Sequence, residues 1–409
     1  MISQRTPLYL SHSPTPKVQH FAILAALEAA IRGILMSVMP LMLYRAFQDA
    51  GQVSQAYLLA GVISLAMGMG IPFVSRFLAR RWMYSLGVLL YLSGAILGVF
   101  GPPHAIALVL GLNAIATVTL AICLNAYILD YIARVDLGQS ESMRMVYSAV
   151  PWAAGPFCGV LLLNWWAPAP FLVAGGFALI LMGTFWFLRL GNGKQITKAR
   201  GPAPSPLAFL GRFARQPRLI SGWLFAVVRS CGWWVYVVYM PIFCIESGLG
   251  ETLGAVAVSA ANTFLFTTPL MLRAVRRLGV RRSVRDAFIV AGALFVAAFA
   301  LAGWPLMAFG ALAMSSVALV WLDVCGGLPF LMAVKPSERT EMAAVYASFR
   351  DVSGIATPAV ASAVLMVAPL SVIFGVMGAG MWATALVAAR LHPRLGAPRP
   401  LAHHEFTAP

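Results

Sequence analysis

The sequence predicts an all-α integral membrane protein with twelve transmembrane helices in two pseudo-symmetric bundles of six. Three observations support this prediction. The 409 residues are 60% hydrophobic and only 10% charged, with a mean hydropathy of +0.83, whereas soluble chains carry about 25% charged residues. Apolar stretches close to the roughly 20 residues that cross a bilayer recur along the whole chain. Several short motifs of the first half also return in the second.

The apolar stretches are separated by short polar joints, and each is predicted to form one membrane-spanning helix. They cover residues 20–44, 54–73, 82–100, 105–133, 145–165, 169–190, 218–243, 252–272, 286–302, 305–334, 342–367 and 370–391.

The longest joint divides the chain into two sets of six spans. It covers 191–217, reads "GNGKQITKARGPAPSPLAFLGRFARQP", and has the Gly, Pro and basic content of a linker. The predicted organisation is therefore a tail (1–19), a six-helix bundle (20–190), this linker, a second bundle (218–391) and a second tail (392–409).

Basic residues set the predicted orientation in the membrane. If the amino terminus is cytoplasmic, 25 of the 29 Lys and Arg fall in cytoplasmic segments, and only Arg45 lies outside. This is the asymmetry of the positive-inside rule. We therefore expect both termini to be cytoplasmic and the formal net charge of +16 to reflect topology rather than nucleic-acid binding.

Repeated motifs indicate a duplicated six-helix unit. "MRMVYSAVPWAAG" from Met143 is similar to "MAAVYASFRDVSG" from Met342, at an offset of 199. "MP" at 39–40 returns at 240–241, and "RFLARR" from Arg76 resembles "RLGVRR" from Arg277, both at an offset of 201. The two halves are therefore predicted to be related by a pseudo-twofold.

With these features the chain resembles the major facilitator superfamily, whose members have two six-helix halves, cytoplasmic termini and a central cytoplasmic loop. That family often carries Gly-x-x-x-Asp-Arg-x-Gly-Arg-Arg after the second helix, where this chain has "GIPFVSRFLARR", with Ser75 in place of the acid. The resemblance implies gating roles for the arginines of this loop and of its second copy: Arg76, Arg80, Arg81, Arg277, Arg281 and Arg282.

The fifth span carries a second resemblance. "PWAAGPFCGV" is similar to the Gly-x-x-x-Gly-Pro-x-x-Gly-Gly motif of antiporters in the superfamily, with Gly155, Pro156 and Gly159 matching. Close helix packing without any bearing on transport direction explains these residues equally well. Asp130 and Arg144 lie where family members often place a cytoplasmic gate, although solvated loop charges are the simpler interpretation.

Six ionisable side chains near the middle of predicted spans are the candidate site: Glu28, Arg32, Arg229, Asp323, Arg350 and Asp351. An ionisable residue at a helix centre costs about 2.5–3.5 kcal/mol, so such residues usually face a partner or a water-filled cavity. Three are positive and three negative, so mutual neutralisation is one explanation. The resemblance favours another, because it implies that the first, seventh and tenth spans line a central cavity.

Arg32 and Arg229 are the predicted ligands of an anionic group, because guanidinium forks onto carboxylate or phosphate. Glu28, one turn from Arg32, is expected to restrain Arg32 when the site is empty. Trp233 and Tyr236 share the predicted face of Arg229, and Tyr147 and Tyr346 are further aromatic candidates. Asp323, Arg350 and Asp351 are expected to form charge pairs or to carry a proton with Glu28.

These features predict a secondary transporter of the inner membrane, working by alternating access and coupled to protons, that exports or exchanges a small anionic or zwitterionic organic solute. A multidrug pump for hydrophobic or cationic compounds, or a receptor or assembly factor that transports nothing, are the alternatives. The sequence has no phosphate-binding G-x-x-x-x-G-K-[ST] loop, and its six histidines lie in loops, in the terminal segments or, for His20, at the end of a span. We therefore expect no metal, no cofactor and no enzymatic activity, and a monomer in the bilayer.

Overall fold

The computed structural model describes residues 17–74, 77–132, 136–188, 209–334 and 339–391. Residues 1–16 of the first predicted tail, the whole second tail, most of the predicted linker and Arg76 lie outside these residues, and the predicted domain boundaries stay predictions. No strand occurs in the described ranges. We refer to the membrane side at which the first helix begins as the inner side, following the predicted orientation, and to the other as the outer side.

Six membrane-spanning helices form the N-terminal half. They are α1 (Val18–Phe47), α2 (Ala50–Val74), α3 (Arg80–Phe100), α4 (Ile106–Tyr131), α5 (Leu137–Trp165) and α6 (Ala169–Phe187).

Six more form the C-terminal half, after a short helix at Leu210–Ala214. They are α7 (Pro217–Glu246), α8 (Glu251–Leu278), α9 (Val280–Ala300), α10 (Pro305–Ala333), α11 (segments Arg339–Ala347 and Phe349–Leu365) and α12 (Ser371–Ala389). In the described residues, 11 helices are long and apolar enough to cross a membrane, and the main segment of α11 has 17 residues. The predicted all-α fold of two six-helix bundles is confirmed.

Four helices of the C-terminal half are interrupted where the sequence predicts continuous spans. α7 contains a π-helical turn at Val235–Tyr239, α8 a 3₁₀ turn at Phe264–Thr267, α10 a break after Cys325 and α11 a break at Ser348. A proline follows the first two interruptions closely, and proline removes a backbone donor from the helix. The π-turn changes the angular spacing of side chains along α7, which affects the site described below.

Glycines set the closest helix contacts within each half. A Cβ on Gly155 of α5 would lie 2.5 Å from the carbonyl carbon of Gly33 on α1, and a Cβ on Gly159 would collide with the Ile34 carbonyl. In the other half, a Cβ on Gly378 of α12 would lie 2.7 Å from the backbone of α9. Small residues let membrane helices approach in this way, so the packing interpretation of Gly155 and Gly159 holds in the structure.

The two halves meet through α2 with α11, α5 with α8, and α1 with α7. The hydrogen bonds that join them cluster in the outer half of the described bundle. At the outer surface, Arg45 forms an ion pair with Glu251, with Nε 2.8 Å from Oε1. Deeper in the bundle, the Tyr239 hydroxyl donates to Ser54 Oγ at 2.9 Å. The described structure is therefore closed on its outer side.

Candidate functional site

A cavity of about 400 Å³ lies between the two halves near the middle of the bundle. Residues of α1, α2, α3, α4, α5, α7 and α11 line it. Its charged lining residues are Arg32, Arg350 and Asp351, and its aromatic lining residues are Tyr57, Tyr91, Trp152, Trp233 and Trp234. The size is within the usual range for small-molecule sites, and apolar walls with few charged groups are typical of such sites.

Arg32 presents its guanidinium to this cavity from α1. Its Nη1 lies 3.5 Å from Oε1 of Glu28, one turn earlier, and its guanidinium carbon lies 5.0 Å from the ring centre of Trp152. The Arg32 side chain is 42% exposed, whereas that of Glu28 is 11% exposed. Glu28 Oε1 makes no hydrogen bond to a described residue. The ion pair is therefore loose, and the guanidinium keeps donors available for a ligand.

The glycine contact between α1 and α5 explains why Arg32 meets Trp152. Arg32 precedes Gly33 in the chain, and Trp152 lies one turn before Gly155, the residue that packs directly on Gly33. Because the backbones of α1 and α5 are in close contact at Gly33 and Gly155, the neighbouring side chains of Arg32 and Trp152 lie next to each other. The glycine motif of α5 therefore places Trp152 beside Arg32 in the cavity lining.

Arg229, the other predicted anion ligand, does not line the cavity. Its Nε lies 3.1 Å from Oδ1 of Asp323 on α10, and its side chain is only 14% exposed. Trp233 lines the cavity but donates from Nε1 to the other oxygen of Asp323 at 2.9 Å. The expected pair of Arg32 and Arg229 is therefore not assembled in one space, because Asp323 already neutralises Arg229 between α7 and α10.

The three predicted tyrosines also lie away from the cavity lining. Tyr236 is fully buried and donates to the Ala257 carbonyl of α8 at 3.0 Å. It lies in the π-helical turn of α7, where a 3.6-residue repeat no longer predicts which residues share a face. Tyr147 lies on the inner part of α5, and Tyr346 stacks on Phe330 at 3.9 Å between ring centres.

Arg350 and Asp351 of α11 both line the cavity. The guanidinium carbon of Arg350 lies 5.5 Å from the ring centre of Phe349. Neither residue forms an ion pair with a described residue. The expected bridge between Asp323 and this pair is absent from the described contacts, because Asp323 is engaged by Arg229. The cavity therefore contains an arginine from each half, but the second is Arg350.

The predicted gate residues on the inner side form local contacts. Arg80 and Asp130 make an ion pair between α3 and α4, and the Arg80 guanidinium lies 5.2 Å from the Tyr127 ring centre. Asp130 thus supplies the acid that the preceding loop lacks at Ser75. Arg81 lies 5.7 Å over the ring of Trp82.

Other predicted gate residues tie neighbouring segments together. Arg144 donates to Asn125 of α4 and to Glu141, each at 3.1 Å, so it is more than a solvated loop charge. Arg281 donates to the Ala389 carbonyl at the end of α12 at 2.6 Å. Arg277 lies in the last turn of α8, and Arg282 is exposed.

Pro156 creates a hydrogen-bonding site between the halves that the sequence analysis did not identify. A proline has no N–H for the carbonyl four residues earlier, here that of Trp152. The Asn262 side chain of α8 donates to this carbonyl at 2.8 Å, and Ser259 of α8 accepts from the Phe157 N–H at 2.9 Å. A proline within a span was the available signal for an acceptor, but not for its donor.

Further lining residues were also missed. The Tyr91 and Thr117 hydroxyls are 2.7 Å apart, and Asn113 lines the cavity with no hydrogen bond to a described residue. An asparagine in an apolar span was a usable signal, since polar side chains in membranes mark pathways. Within the described ranges, no group of three or more His, Cys, Asp or Glu could hold a metal ion.

Solved transporter structures share this fold. A nucleoside transporter, NupG, is 14% identical, with a TM-score of 0.71 over 91% of this chain and 98% of that chain. A bacterial homologue of the iron transporter ferroportin in an inward-facing state is 15% identical, with a TM-score of 0.66 over 91% and 96%. A peptide transporter, POT, is 12% identical, with a TM-score of 0.72 over 93% and 94%.

Sequence comparison gives the family. Among curated proteins, none matches this chain significantly. The family model described as Major Facilitator Superfamily matches residues 21–358. This match covers most of both halves and agrees with the two six-helix bundles and the cavity between them. The chain belongs to the major facilitator superfamily of membrane transporters.

Proposed function

We propose that this transporter moves a small anionic or zwitterionic organic solute by alternating access, coupled to protons through Glu28. The inner-membrane location, the cytoplasmic termini and the monomeric state are part of this proposal. The two halves rock about a midplane site in such transporters. Here that site is the central cavity.

Arg32 is the observation that carries the proposal. It is permanently charged, reaches a cavity of small-molecule size, and has only a 3.5 Å contact to its acid. Arg350 adds a second guanidinium without an ion-pair partner among the described residues. With Asp351 as the single acid of the described lining, the cavity has excess positive charge and favours a solute with an anionic group.

Glu28 is suited to couple a proton to the anion. It is nearly buried on α1, and Arg32 is its ion-pair partner. When an anion draws Arg32 away, Glu28 loses that partner, and an unpaired buried charge is costly. Proton uptake by Glu28 then accompanies anion binding. This geometry favours movement of anion and proton together, whereas the α5 motif favours export or exchange.

A second candidate is export of hydrophobic or cationic compounds. The aromatic and methionine side chains of the lining, with Asp351, favour it. The two candidates differ in their dependence on Arg32, because a cation gains nothing from a guanidinium.

Thermal stability of the purified protein tests the proposal. The panel contains lactate, succinate, glycerol 3-phosphate and tetraphenylphosphonium, with wild type, Arg32→Ala, Arg32→Lys and the control Arg285→Ala. Arg285 is paired with Asp286 on α9 and does not line the cavity. We expect an anion to raise the Tm of wild type and Arg285→Ala with the logarithmic concentration dependence of linkage, but not that of Arg32→Ala.

The opposite result would be an equal Tm response in wild type and Arg32→Ala, which removes Arg32 from the site. A response to tetraphenylphosphonium alone would favour the second candidate. The stabilising anion is then tested in proteoliposomes with an imposed pH gradient. Uptake driven from the acidic side supports movement of anion and proton together, and loss of this gradient dependence in Glu28→Gln supports coupling at Glu28.

A further inference from the structure

We propose that Asp351, with Trp234 and Tyr57, forms a subsite for an organic ammonium group, so that the transported solute is a zwitterion. Its anionic group would lie on Arg32. The inference rests on the proposed function for the anionic end, and it adds the cationic end and the residues that select it.

Asp351 has no ion-pair partner among the residues that the structure describes. It lines the cavity from α11 and makes neither an ion pair nor a hydrogen bond with a described residue. Arg229 of α7 already forms an ion pair with Asp323. The charge of Arg350, the adjacent residue on the same helix, acts on Asp351, but consecutive residues of a helix do not face each other and the two form no ion pair in the described structure. A carboxylate in the middle of a membrane protein needs a partner or a polar pathway, and a cationic solute would provide one.

Aromatic rings lie beside the same face of α11. Gly354 is one turn after Asp351, and a Cβ at Gly354 would lie 3.4 Å from the Trp234 indole. Tyr57 of α2 meets Trp234 edge to face, with ring centres 5.9 Å apart. Both rings line the cavity. A carboxylate next to aromatic faces is the combination that binds ammonium groups, through charge and through cation–π attraction.

The charged groups of the two proposed subsites belong to different halves of the transporter, and Tyr57 of α2 adds a ring of the first half to the cationic subsite. Arg32 and Trp152 come from α1 and α5, whereas Asp351 and Trp234 come from α11 and α7. A zwitterion can therefore contact both walls at once. A carboxylate or an amine alone pairs with only one of the two charged groups, and so contributes less to holding the halves together around the solute. This difference is what the test measures.

The test compares ω-amino carboxylates from glycine to 8-aminooctanoate with the carboxylate and the alkylamine of the same chain length. The readout is the Tm of the purified full-length protein against concentration. We expect at least one ω-amino carboxylate to stabilise wild type at about tenfold lower concentration than its matched carboxylate, as one additional charged contact would give.

Four variants, one of them a control, identify the residues. Asp351→Asn should remove the tenfold difference while leaving the carboxylate response unchanged, and Asp351→Glu should retain part of it. Asp286→Asn is the matched control, because Asp286 is exposed and paired with Arg285 outside the cavity. If the Asn variant does not fold, the Glu variant and Trp234→Leu carry the test, since loss of the ring should reduce the difference.

The proposal is overturned if zwitterion and carboxylate stabilise wild type equally, if Asp351→Asn keeps the tenfold difference, or if no member of the series stabilises wild type. If the proposed function is wrong, the result is different: carboxylates raise the Tm of Arg32→Ala as much as that of wild type. Stabilisation by alkylamines alone, dependent on Asp351, overturns both and identifies a cationic solute.

Discussion

Replacing Asn262 by alanine should open the outer side of the transporter. Asn262 Nδ2 donates to the Trp152 carbonyl at 2.8 Å across the contact between α5 and α8. This carbonyl has no helical donor because Pro156 occupies the position four residues later. In Asn262→Ala the carbonyl stays unpaired while the halves are closed, whereas water can reach it once they separate. The substitution therefore destabilises the outer-closed state selectively.

The expected shift follows from a single interhelical hydrogen bond. Such bonds in membrane proteins contribute about 0.6 kcal/mol on average and up to about 1.7 kcal/mol. At 1.4 kcal/mol per factor of ten, the ratio of outer-closed to outer-open protein should fall by about 3- to 16-fold. The neighbouring bond from the Phe157 N–H to Ser259, at 2.9 Å, remains, so a larger change is not expected.

Distances between spin labels on the outer side measure this ratio. The labels are placed at Gln52→Cys, an exposed position at the start of α2, and at Ser247→Cys, a half-buried position after α7. The five native cysteines are replaced in the background. The matched control is Thr263→Ala on α8, because the hydrogen bond of the Thr263 hydroxyl to a described residue stays within its own helix, at the Ser259 carbonyl. If the long-distance population is the same in both variants, the hydrogen bond does not hold the outer side closed.

Two further sets of substitutions test the close contact between the halves and the buried ion pair. Gly61→Leu should lengthen the same outer distance, because a Cβ at Gly61 would lie 2.8 Å from the Gly354 carbonyl oxygen, whereas the control Gly70→Leu on the same helix meets nothing within 4 Å. Arg229→Ala and Asp323→Ala should each lower the Tm in detergent more than the double variant does, because each single change leaves a buried charge unpaired. Additive losses would contradict the latter expectation.

The membrane fold could be predicted from sequence because the bilayer imposes a length and a composition on every span. The predicted span 20–44 corresponds to α1 (Val18–Phe47) in the structure, and the predicted span 305–334 corresponds to α10 (Pro305–Ala333). The repeated motifs at offsets of 199 and 201 identified the two halves. Membrane-buried charge also located part of the candidate site, since Arg32, Arg350 and Asp351 line the cavity.

The partners of these charges could not be predicted in the same way. The acid that pairs with Arg229 depends on how α7 is rotated about its axis relative to α10. The sequence pattern of either helix alone does not determine that rotation. The place of Tyr236 depends on a π-helical turn, so the argument from residues sharing a helix face failed there. The proline at position 156 showed that a carbonyl needed a donor, but Asn262 lies 106 residues away, on a helix of the other half.

The duplicated unit places unlike side chains at equivalent points of the cavity. At the offset of 201, Arg32 of α1 corresponds to Trp233 of α7, and at the offset of 199, Trp152 of α5 corresponds to Asp351 of α11. All four line the cavity. A cavity with two identical walls would hold a solute equally well in either orientation. Because duplication fixed the positions while the side chains diverged, one wall now offers the Arg32 guanidinium and the other the Asp351 carboxylate beside Arg350. A solute with two unlike ends can then bind in one orientation and contact both rocking halves.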